Sequence, residues 1–287
     1  MIMEFNVKHF KTCLRYPGGK TRVCNTINQY LPDLNNYIEY REPFVGGASV
    51  AIFITKKYPH LNIWINDLYE PLINFYRQLQ INGNLLSDNL LECKLKADNP
   101  ESSRELFMSS KNIINSQESD LNRAIAFYIV NRCSFSGLTE ASSFSIQAAL
   151  GRFTLSGIKN LVHFSKIIEK WKITNYSYEY LMDNNSNAFI YLDPPYDIKS
   201  NTLYGKKGSI HREFDHNKFA LDCDNNKMDS LISYNSDQLV KDRFLNWNMV
   251  EYDLTYSMLS VGEYMKNQKE RKELLLFNYN SKIKNKI

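Results

Sequence analysis

The chain has 287 residues, of which 43% are hydrophobic and 23% charged, and its formal net charge is +4 at pH 7. No apolar run approaches the ~20 residues of a membrane helix, the first residues lack a signal-peptide core, and five scattered cysteines form neither a CxxC metal site nor a disulfide framework. We therefore expect a cytoplasmic α/β protein, with one large domain or a core domain plus an insert, whose mild positive charge permits a polyanionic partner.

The segment LRYPGGKT, residues 14–21, ends in Gly-Lys-Thr, as the phosphate-binding loop of nucleoside-triphosphate enzymes does. That loop needs a glycine six positions before its lysine, but Leu14 stands there and no apolar strand precedes it. Pro-Gly-Gly by itself predicts only a turn. The following TRVCNTINQYLPDL has apolar residues at helical spacing and predicts a first helix.

The next residues alternate between strands and helices. A strand at YIEY, a glycine-containing loop and an apolar helix are predicted within NYIEYREPFVGGASVAIFITKKY. The segment LNIWIN predicts a second strand that ends at Asp67, before another helix. Gly46 and Asp67 are roughly 20 residues apart, the spacing at which a nucleotide-binding βαβ unit places an acid on a ribose hydroxyl. The alternative interpretation of Asp67, taken alone, is that it is only the N-cap residue of the helix that begins near Glu70.

Residues 72–158 interrupt this alternation and look inserted. They comprise a polar helical stretch, a Ser- and Asn-rich connector at 109–120, the apolar helix LNRAIAFYIVNR and the segment CSFSGLTEASSFSIQAALGRF. The alternation resumes with the helix LVHFSKIIEKW, the strand KITNYSYEYL and the strand AFIYL. Further strands are predicted at MDSLISYN and ELLLFNY, with the helix SDQLVKDRFL between them. This order of elements predicts an α/β fold.

The strand AFIYL leads directly into the tetrapeptide DPPY, residues 193–196, at the end of a strand where open α/β sheets bind ligands. Two prolines fix the backbone and remove two donors, so the Pro194 carbonyl and the Asp193 carboxylate form a stiff pair of acceptors. Such a pair suits a planar exocyclic amine such as adenine N6. The acceptors take its two hydrogens and return lone-pair density to the nitrogen, while Tyr196 stacks on the base. A rigid turn that merely ends the strand is the alternative interpretation.

In chain order, LRYPGGK, EPFVGGASV, INDLYEPL, NRCSFSGL, YLDPPY and ELLLFNY resemble the motifs of the Dam-type DNA adenine-N6 methyltransferases, the D12 class of the alpha group. The resemblance covers nearly the whole chain. It implies a Rossmann-like catalytic domain that binds S-adenosyl-L-methionine, formed by residues 1–71 and 159–287. It also implies a smaller, mainly helical target-recognition domain at 72–158, and double-stranded DNA from which the target adenine is flipped.

The resemblance assigns roles to single residues. The residues implied to bind the cofactor are Tyr16, Pro17, Gly18, Lys20, Phe44, Gly46, Asp67, Tyr178 and Asp193, with Asp67 accepting from the ribose hydroxyls. The catalytic residues are Asp193, Pro194, Pro195 and Tyr196. For DNA contact we expect Arg132 and four basic residues of the loop after DPPY, namely Lys199, Lys206, Lys207 and Arg212. A solvated loop is the alternative interpretation of that basic run. No metal site is expected.

Two positions depart from the family pattern. Ala48 replaces the last glycine of the glycine loop, so the backbone there should approach the cofactor less closely. Ser136 stands where relatives often carry Asn, in the hairpin expected to read DNA, so the target sequence cannot be transferred from a relative. Cytosine N4, RNA adenine and a glutamine amide stay open as acceptors, as does a catalytically silent DNA-binding protein. A cognate restriction endonuclease is a further partner to consider.

Overall fold

The computed structural model describes residues 11–137, 142–182, 187–197, 214–253 and 272–281. In this part of the chain a seven-stranded sheet has the order β3-β2-β1-β4-β5-β7-β6. The strands are β1 (Glu39–Glu42), β2 (Asn62–Asn66), β3 (Lys172–Thr174), β4 (Ala188–Leu192), β5 (Ser230–Asn235), β6 (Asn248–Asp253) and β7 (Lys272–Phe277). All neighbouring pairs are parallel except that β7 runs antiparallel to both β5 and β6.

The described helices cover both faces of this sheet. They are α1 (Cys24–Tyr30), α2 (Ser49–Lys57), α3 (Glu70–Lys96), α4 (Pro100–Ile113), α5 (Asp120–Cys133), α6 (Ile146–Gly151), α7 (Leu155–Lys159), α8 (Leu161–Ile167), α9 (His216–Asn225) and α10 (Gln238–Arg243). The mixed α/β fold is the Rossmann-like arrangement that was predicted. None of the helices within the described ranges is long and apolar enough to cross a membrane.

Strand β4 lies at the centre of the sheet, between β1 and β5, and all five of its residues are buried. Its side chains alternate between two hydrophobic clusters. Phe189 and Tyr191 join the cluster that contains α1, α2 and the helices between β2 and β3, whereas Ile190 and Leu192 join the cluster formed with α9 and α10. A strand covered on both faces is hydrophobic at every position, which is why AFIYL is recognisable in the sequence.

The strand order reverses between β1 and β4. From β1 the chain moves outward through β2 to β3, and it then returns to place β4 on the other side of β1. In open α/β sheets, ligands bind outside the carboxyl ends of the strands at this switch point. The loop after β1 contains the glycines, and the loop after β4 contains DPPY, so both predicted motifs lie at this crevice.

Six consecutive helices, α3 to α8, connect β2 to β3. Helix α3 packs against α5, α7 and α8, and its backbone is kinked at Asn82. A Cβ atom at the next residue, Gly83, would lie 2.5 Å from the Ser165 side chain, so the close approach of α3 and α8 requires glycine there. These helices share one buried hydrophobic cluster with the sheet. The division of the chain at residues 72 and 158 remains a prediction.

Several predicted boundaries were wrong. The first strand is Glu39–Glu42 rather than YIEY, and α4 continues to Ile113 through the first part of the predicted connector. The predicted strand KITNYSYEYL is a strand only at Lys172–Thr174, followed by a 3-10 turn at Tyr178–Leu181. The strand ends early because the Asn66 side chain forms hydrogen bonds with both backbone groups of Tyr176. Its Oδ1 accepts from the Tyr176 N–H at 2.8 Å, and its Nδ2 donates to the Tyr176 carbonyl at 2.9 Å. Strand β6 and helix α9 were not predicted.

Candidate active site

The crevice between the ends of β1 and β4 is formed by three short segments. They are the opening turn at residues 14–21, the glycine loop at residues 43–48 and the DPPY loop at residues 193–196. The opening turn is closed by a hydrogen bond from the Gly19 N–H to the Tyr16 carbonyl at 3.2 Å, and Gly18 has a φ of +73°. The predicted turn is therefore confirmed, and it carries Tyr16 and Lys20 to the crevice.

Lys20 binds Asp193 although the two residues are 173 positions apart. The Lys20 Nζ atom lies 2.7 Å from Asp193 Oδ1 and 2.8 Å from Oδ2, and it also donates to the Gly18 carbonyl at 3.1 Å. Lys20 is only 3% exposed. A buried ammonium with three acceptors is a structural part of this crevice, and its main partner is the predicted catalytic carboxylate.

The charge state of Asp193 is set by opposing effects. Burial raises the pKa of its carboxyl to about 6, and the charge of Glu273 also raises it, whereas the charge and hydrogen bonds of Lys20 lower it. Glu42, at the end of β1, is 2% exposed, and burial raises its pKa to about 8. Burial therefore favours the protonated form of both carboxyls, and at Asp193 the charge of Lys20 is the main opposing effect.

The ring of Tyr196 is fixed at several points. Its hydroxyl donates to the carboxylate of Glu273, a residue of β7 that is 2% exposed. The ring stacks against Tyr234 with a centroid distance of 5.9 Å and an interplanar angle of 20°. Lys20 Nζ lies 5.0 Å from the centroid of the same Tyr196 ring. The two prolines between Asp193 and Tyr196 hold this ring beside the carboxylate, with Pro194 buried and Pro195 half-buried.

Asp67 lies beyond the end of β2 and binds the glycine loop. Its Oδ2 accepts from the N–H of Gly46 at 3.1 Å, and its Oδ1 accepts from the N–H of Tyr69 at 3.0 Å. Burial raises the pKa of Asp67 to about 6, opposed by these backbone hydrogen bonds. The N-cap of α3 is Tyr69, without a side-chain cap, so the alternative of Asp67 as the helix cap was wrong. A carboxylate has about four lone-pair sites, so Asp67 retains acceptor capacity.

Tyr16 packs directly on the glycine loop. A Cβ atom at Gly46, where φ is +45°, would lie 2.9 Å from Tyr16 Cε1, and one at Gly47 would lie 2.9 Å from Tyr16 Cβ. These glycines therefore allow the opening turn to approach the loop. The next residue, Ala48, has a left-handed φ of +56°, a conformation that costs an L-residue about 1–2 kcal/mol. The substitution of glycine by Ala48 thus places backbone strain beside the crevice.

Phe44 and Tyr178, predicted separately as cofactor residues, are in contact. Their ring centroids are 5.5 Å apart, and Phe44 also packs against Phe214 (5.8 Å) and Phe219 (5.9 Å). The Tyr178 hydroxyl donates to Asp222 Oδ2 at 2.6 Å. Phe44 and Tyr178 are half-buried, so this aromatic cluster forms part of the crevice wall. Phe219 was missed, although the buried positions Phe219, Ala220 and Cys223 have helical spacing.

Asn131 joins the helices to the opening turn and was also missed. It is fully buried, its Oδ1 accepts from the Arg15 N–H at 2.9 Å, and its Nδ2 donates to the carbonyls of Arg15 (2.7 Å) and Gly137 (3.0 Å). The motifs NRCSFSGL and LRYPGGK therefore lie against each other. A polar amide inside the apolar sequence of α5 was the signal that could have identified it.

The predicted DNA-contacting residues divide into two groups. Arg132 is half-buried on α5, next to Asn131, with its guanidinium 5.5 Å from the Tyr128 ring. The other four, Lys199, Lys206, Lys207 and Arg212, lie outside the described residues. Within the described ranges, no group of three His, Cys, Asp or Glu side chains is arranged to hold a metal ion.

Comparisons with known proteins show which family the chain is similar to. The model of the D12 class N6 adenine-specific DNA methyltransferases matches residues 16–258. Type II methyltransferase M.MjaIII of Methanocaldococcus jannaschii is 27% identical over 199 residues, which are 65% of this chain and 69% of the relative. The DNA N-6-adenine-methyltransferase of Escherichia phage P1 is 34% identical over 140 residues, 47% of this chain and 17% of that longer protein. A DNA adenine methylase of Vibrio cholerae serotype O1 is 25% identical over 200 residues, covering 68% and 69%. The chain therefore belongs to the D12 class N6 adenine-specific DNA methyltransferase family.

Proposed function

We propose that this methyltransferase transfers the methyl group of S-adenosyl-L-methionine to N6 of an adenine flipped out of double-stranded DNA. The observation that carries this proposal is the contact between Asp193 and Lys20. A half-buried carboxylate at the end of the central strand already binds a nitrogen donor with both oxygens, at 2.7 and 2.8 Å. An exocyclic amine of a base is a nitrogen donor of the same kind.

The residues of the crevice fit the cofactor. Asp67 retains acceptor capacity for two ribose hydroxyls. The next residue, Leu68, is 59% exposed. Unlike the neighbouring carboxylate it is apolar, and it offers a surface for the purine ring of the cofactor. The half-buried rings of Phe44 and Tyr178 provide further apolar wall, and the buried cation Lys20 suits the carboxylate of an amino-acid group. When bound, the cofactor supplies an electrophilic methyl group.

Asp193 and the Pro194 carbonyl would accept the two N6 hydrogens of adenine and so return lone-pair density to the nitrogen. The pKa of Asp193, about 6, makes it a polarising acceptor rather than a strong base. The methylated ammonium is acidic enough to lose its proton readily. Tyr196 would stack on the flipped base and recover part of the few kcal/mol that unstacking costs.

DNA recognition is assigned to the helices between β2 and β3. We propose residues 72–158 as the target-recognition domain and residues 1–71 and 159–287 as the catalytic domain. The run of six helices at this place in the sheet order supports the division. Arg132 and the basic loop residues Lys199, Lys206, Lys207 and Arg212 would bind DNA phosphates. Because Asn131 binds Arg15 on both its N–H and its carbonyl, this helical segment is continuous with the crevice.

We also propose a partner restriction endonuclease. Its support comes from the names of relatives. M.MjaIII and M.CviBI, 27% and 24% identical to this chain, are Type II methyltransferases, and StsI of Streptococcus sanguinis, 27% identical, is a modification methylase. A modification enzyme of this kind protects the sequence that its nuclease cleaves.

The experiment is to incubate the protein with unmodified genomic DNA and S-adenosylmethionine and to map modified bases by single-molecule sequencing. We expect N6-methyladenine within one defined sequence. Methyl groups found only on cytosine or on protein would overturn the proposal. The silent DNA-binding alternative predicts no methylation and no heat of cofactor binding in calorimetry.

A further inference from the structure

The ammonium of Lys20 binds the carboxylate that the proposed reaction requires for the target amine. It donates to both carboxylate oxygens of Asp193 and to one backbone carbonyl, that of Gly18. The proposed acceptors of adenine N6 are likewise the Asp193 carboxylate and one backbone carbonyl, that of Pro194. Both nitrogens need the same carboxylate, so they cannot hold their full sets of hydrogen bonds at the same time.

The same ammonium also contacts the ring on which the base would stack. Lys20 Nζ lies 5.0 Å from the Tyr196 centroid, while Tyr234 stacks against that ring at 5.9 Å. A base that stacks on Tyr196 has to replace one of these contacts. Tyr234 is 1% exposed and belongs to the hydrophobic core, whereas Lys20 ends a flexible four-carbon chain. The lysine is therefore the contact that can leave.

We propose that Lys20 is a specificity-determining residue that stands in for the target amine at Asp193 and yields its place only to a base that carries an exocyclic amine. The inference rests on the proposed function, because it names what the base displaces. A half-buried carboxylate that loses its cationic partner without receiving another donor is disfavoured. Thymine, or a purine without the amine at C6, offers no equivalent donor to Asp193 and is rejected.

Lys20 needs a new anion when it leaves Asp193. Its backbone is fixed in the 3-10 turn Lys20–Arg22, so only the side chain can move. The carboxylate at the amino-acid end of the cofactor is an anion that this crevice is proposed to bind. We therefore expect the exchange to require bound cofactor, whose carboxylate receives the ammonium as the base displaces it from Asp193.

The test uses two duplexes with 2-aminopurine next to the methylated position, which carries adenine in one duplex and purine, without the amine at C6, in the other. The fluorescence of 2-aminopurine rises when the neighbouring base leaves the stack. With wild-type protein and the adenine duplex we expect low fluorescence, a several-fold rise with S-adenosylhomocysteine, and no rise with 5′-methylthioadenosine. With the purine duplex we expect no rise with either ligand. The two ligands share the nucleoside, but only the first has the carboxylate.

The variant Lys20→Met removes the ammonium and keeps most of the side-chain length. We expect its fluorescence to be high without any ligand, and the difference between the two ligands to disappear. Lys241→Met is the matched control, because it also breaks a lysine–carboxylate pair, with Glu251 at 2.5 Å, in α10 and β6. That variant should behave as the wild type.

Equal fluorescence with the two ligands in the wild type, or an unchanged ligand dependence in Lys20→Met, would overturn the inference and make Lys20 a permanent counterion. Thermal unfolding checks that Lys20→Met is folded, and if it is not, the wild-type ligand comparison decides alone. Methylation of genomic DNA by the wild type is measured separately, so a failure here is distinct from a failure of the proposed function.

Discussion

Asp67 and Asp193 are two carboxylates at the carboxyl ends of β2 and β4, and burial raises the pKa of each to about 6. Their partners differ. Asp67 accepts from the backbone N–H groups of Gly46 and Tyr69, whereas Asp193 accepts from the side chain of Lys20. Backbone donors leave only if the loop opens, but a lysine side chain can rotate away. In the proposed mechanism Asp67 therefore stays in place and accepts further donors from the cofactor, whereas Asp193 exchanges one nitrogen donor for another.

The greatest loss is expected at Asp193, the exchanging carboxylate. Asp193→Asn replaces one acceptor by an NH₂ group that faces other donors, so the single-turnover rate of methyl transfer should fall at least about a hundredfold. The control is Asp197→Asn in the same loop, which breaks only an ion pair with Arg243 at 2.7 Å and should keep most of the rate. A nearly normal rate in Asp193→Asn would remove the proposed role of the carboxylate.

The exchange of nitrogen donors at Asp193 also requires that the backbone of the opening turn, which carries Lys20, stays in place. Asn131 fixes this turn by its hydrogen bonds with Arg15. Asn131→Ala leaves the N–H and carbonyl of Arg15 without their buried partner, and we expect a loss of about 2–3 kcal/mol in the free energy of unfolding, measured in urea. Asn122→Ala, at an exposed position of the same helix, should change it by less than about 0.5 kcal/mol. Equal losses in the two variants would show that the buried amide contributes nothing special.

The fixed carboxylate should affect cofactor binding alone. Asp67→Asn removes the charge that the ribose hydroxyls would meet, and calorimetry should show the cofactor dissociation constant rising about 10- to 100-fold. DNA binding without cofactor, followed by fluorescence anisotropy, should not change. An equal loss of DNA affinity would mean that Asp67 acts by holding the glycine loop rather than by binding the cofactor.

The two carboxylates also differ in their dependence on pH at saturating cofactor and limiting DNA, when Lys20 still binds Asp193 before the base enters. Protonation removes the acceptor function of Asp193, so the single-turnover rate should fall about tenfold per unit as the pH drops below about 6. Since the Lys20 charge lowers the pKa of Asp193, the midpoint in Lys20→Met should move to higher pH. A midpoint that does not move would place the titration elsewhere, with Asp67 as the first candidate.

The smallest predicted change is in the free energy of unfolding, and it concerns the glycine loop, whose Gly46 N–H donates to Asp67. Ala48→Gly relieves a left-handed φ of +56°, and we expect the free energy of unfolding to rise by up to about 1 kcal/mol. The matched control Ala51→Gly, inside α2, should lower it by about 1 kcal/mol, because glycine is unfavourable in a helix interior. A destabilised Ala48→Gly would show that burial of the methyl group outweighs the backbone strain.

Elements with a strong local pattern were predictable. AFIYL is apolar throughout because β4 is covered on both faces. Gly46 and Asp67 were singled out by their spacing for a ribose site, and the hydrogen bond between them was not predicted. Strand β6 was missed because it lies at the edge of the sheet, where NMVEYD mixes polar and apolar residues.

Contacts between distant parts of the chain were not predictable in the same way. Lys20 and Asp193 were each identified as site residues, but nothing in the local pattern around either one indicates that they bind each other. The early end of β3 depends on the side chain of Asn66, which takes hydrogen bonds that a longer strand would have used. Such side-chain competition for the backbone leaves no periodic signal.

The buried amide of Asn131 also limits how this enzyme could be re-engineered. Its three hydrogen bonds join the last turn of α5 to the opening turn and to Gly137, immediately before residues 138–141. A graft that replaces the whole helical segment would lose this joint unless the donor sequence carries an amide at the same place. Exchange of the residues between Gly137 and Ser142 keeps Asn131 and both of its partners, so libraries that test the proposed role of this segment in sequence preference can be built there.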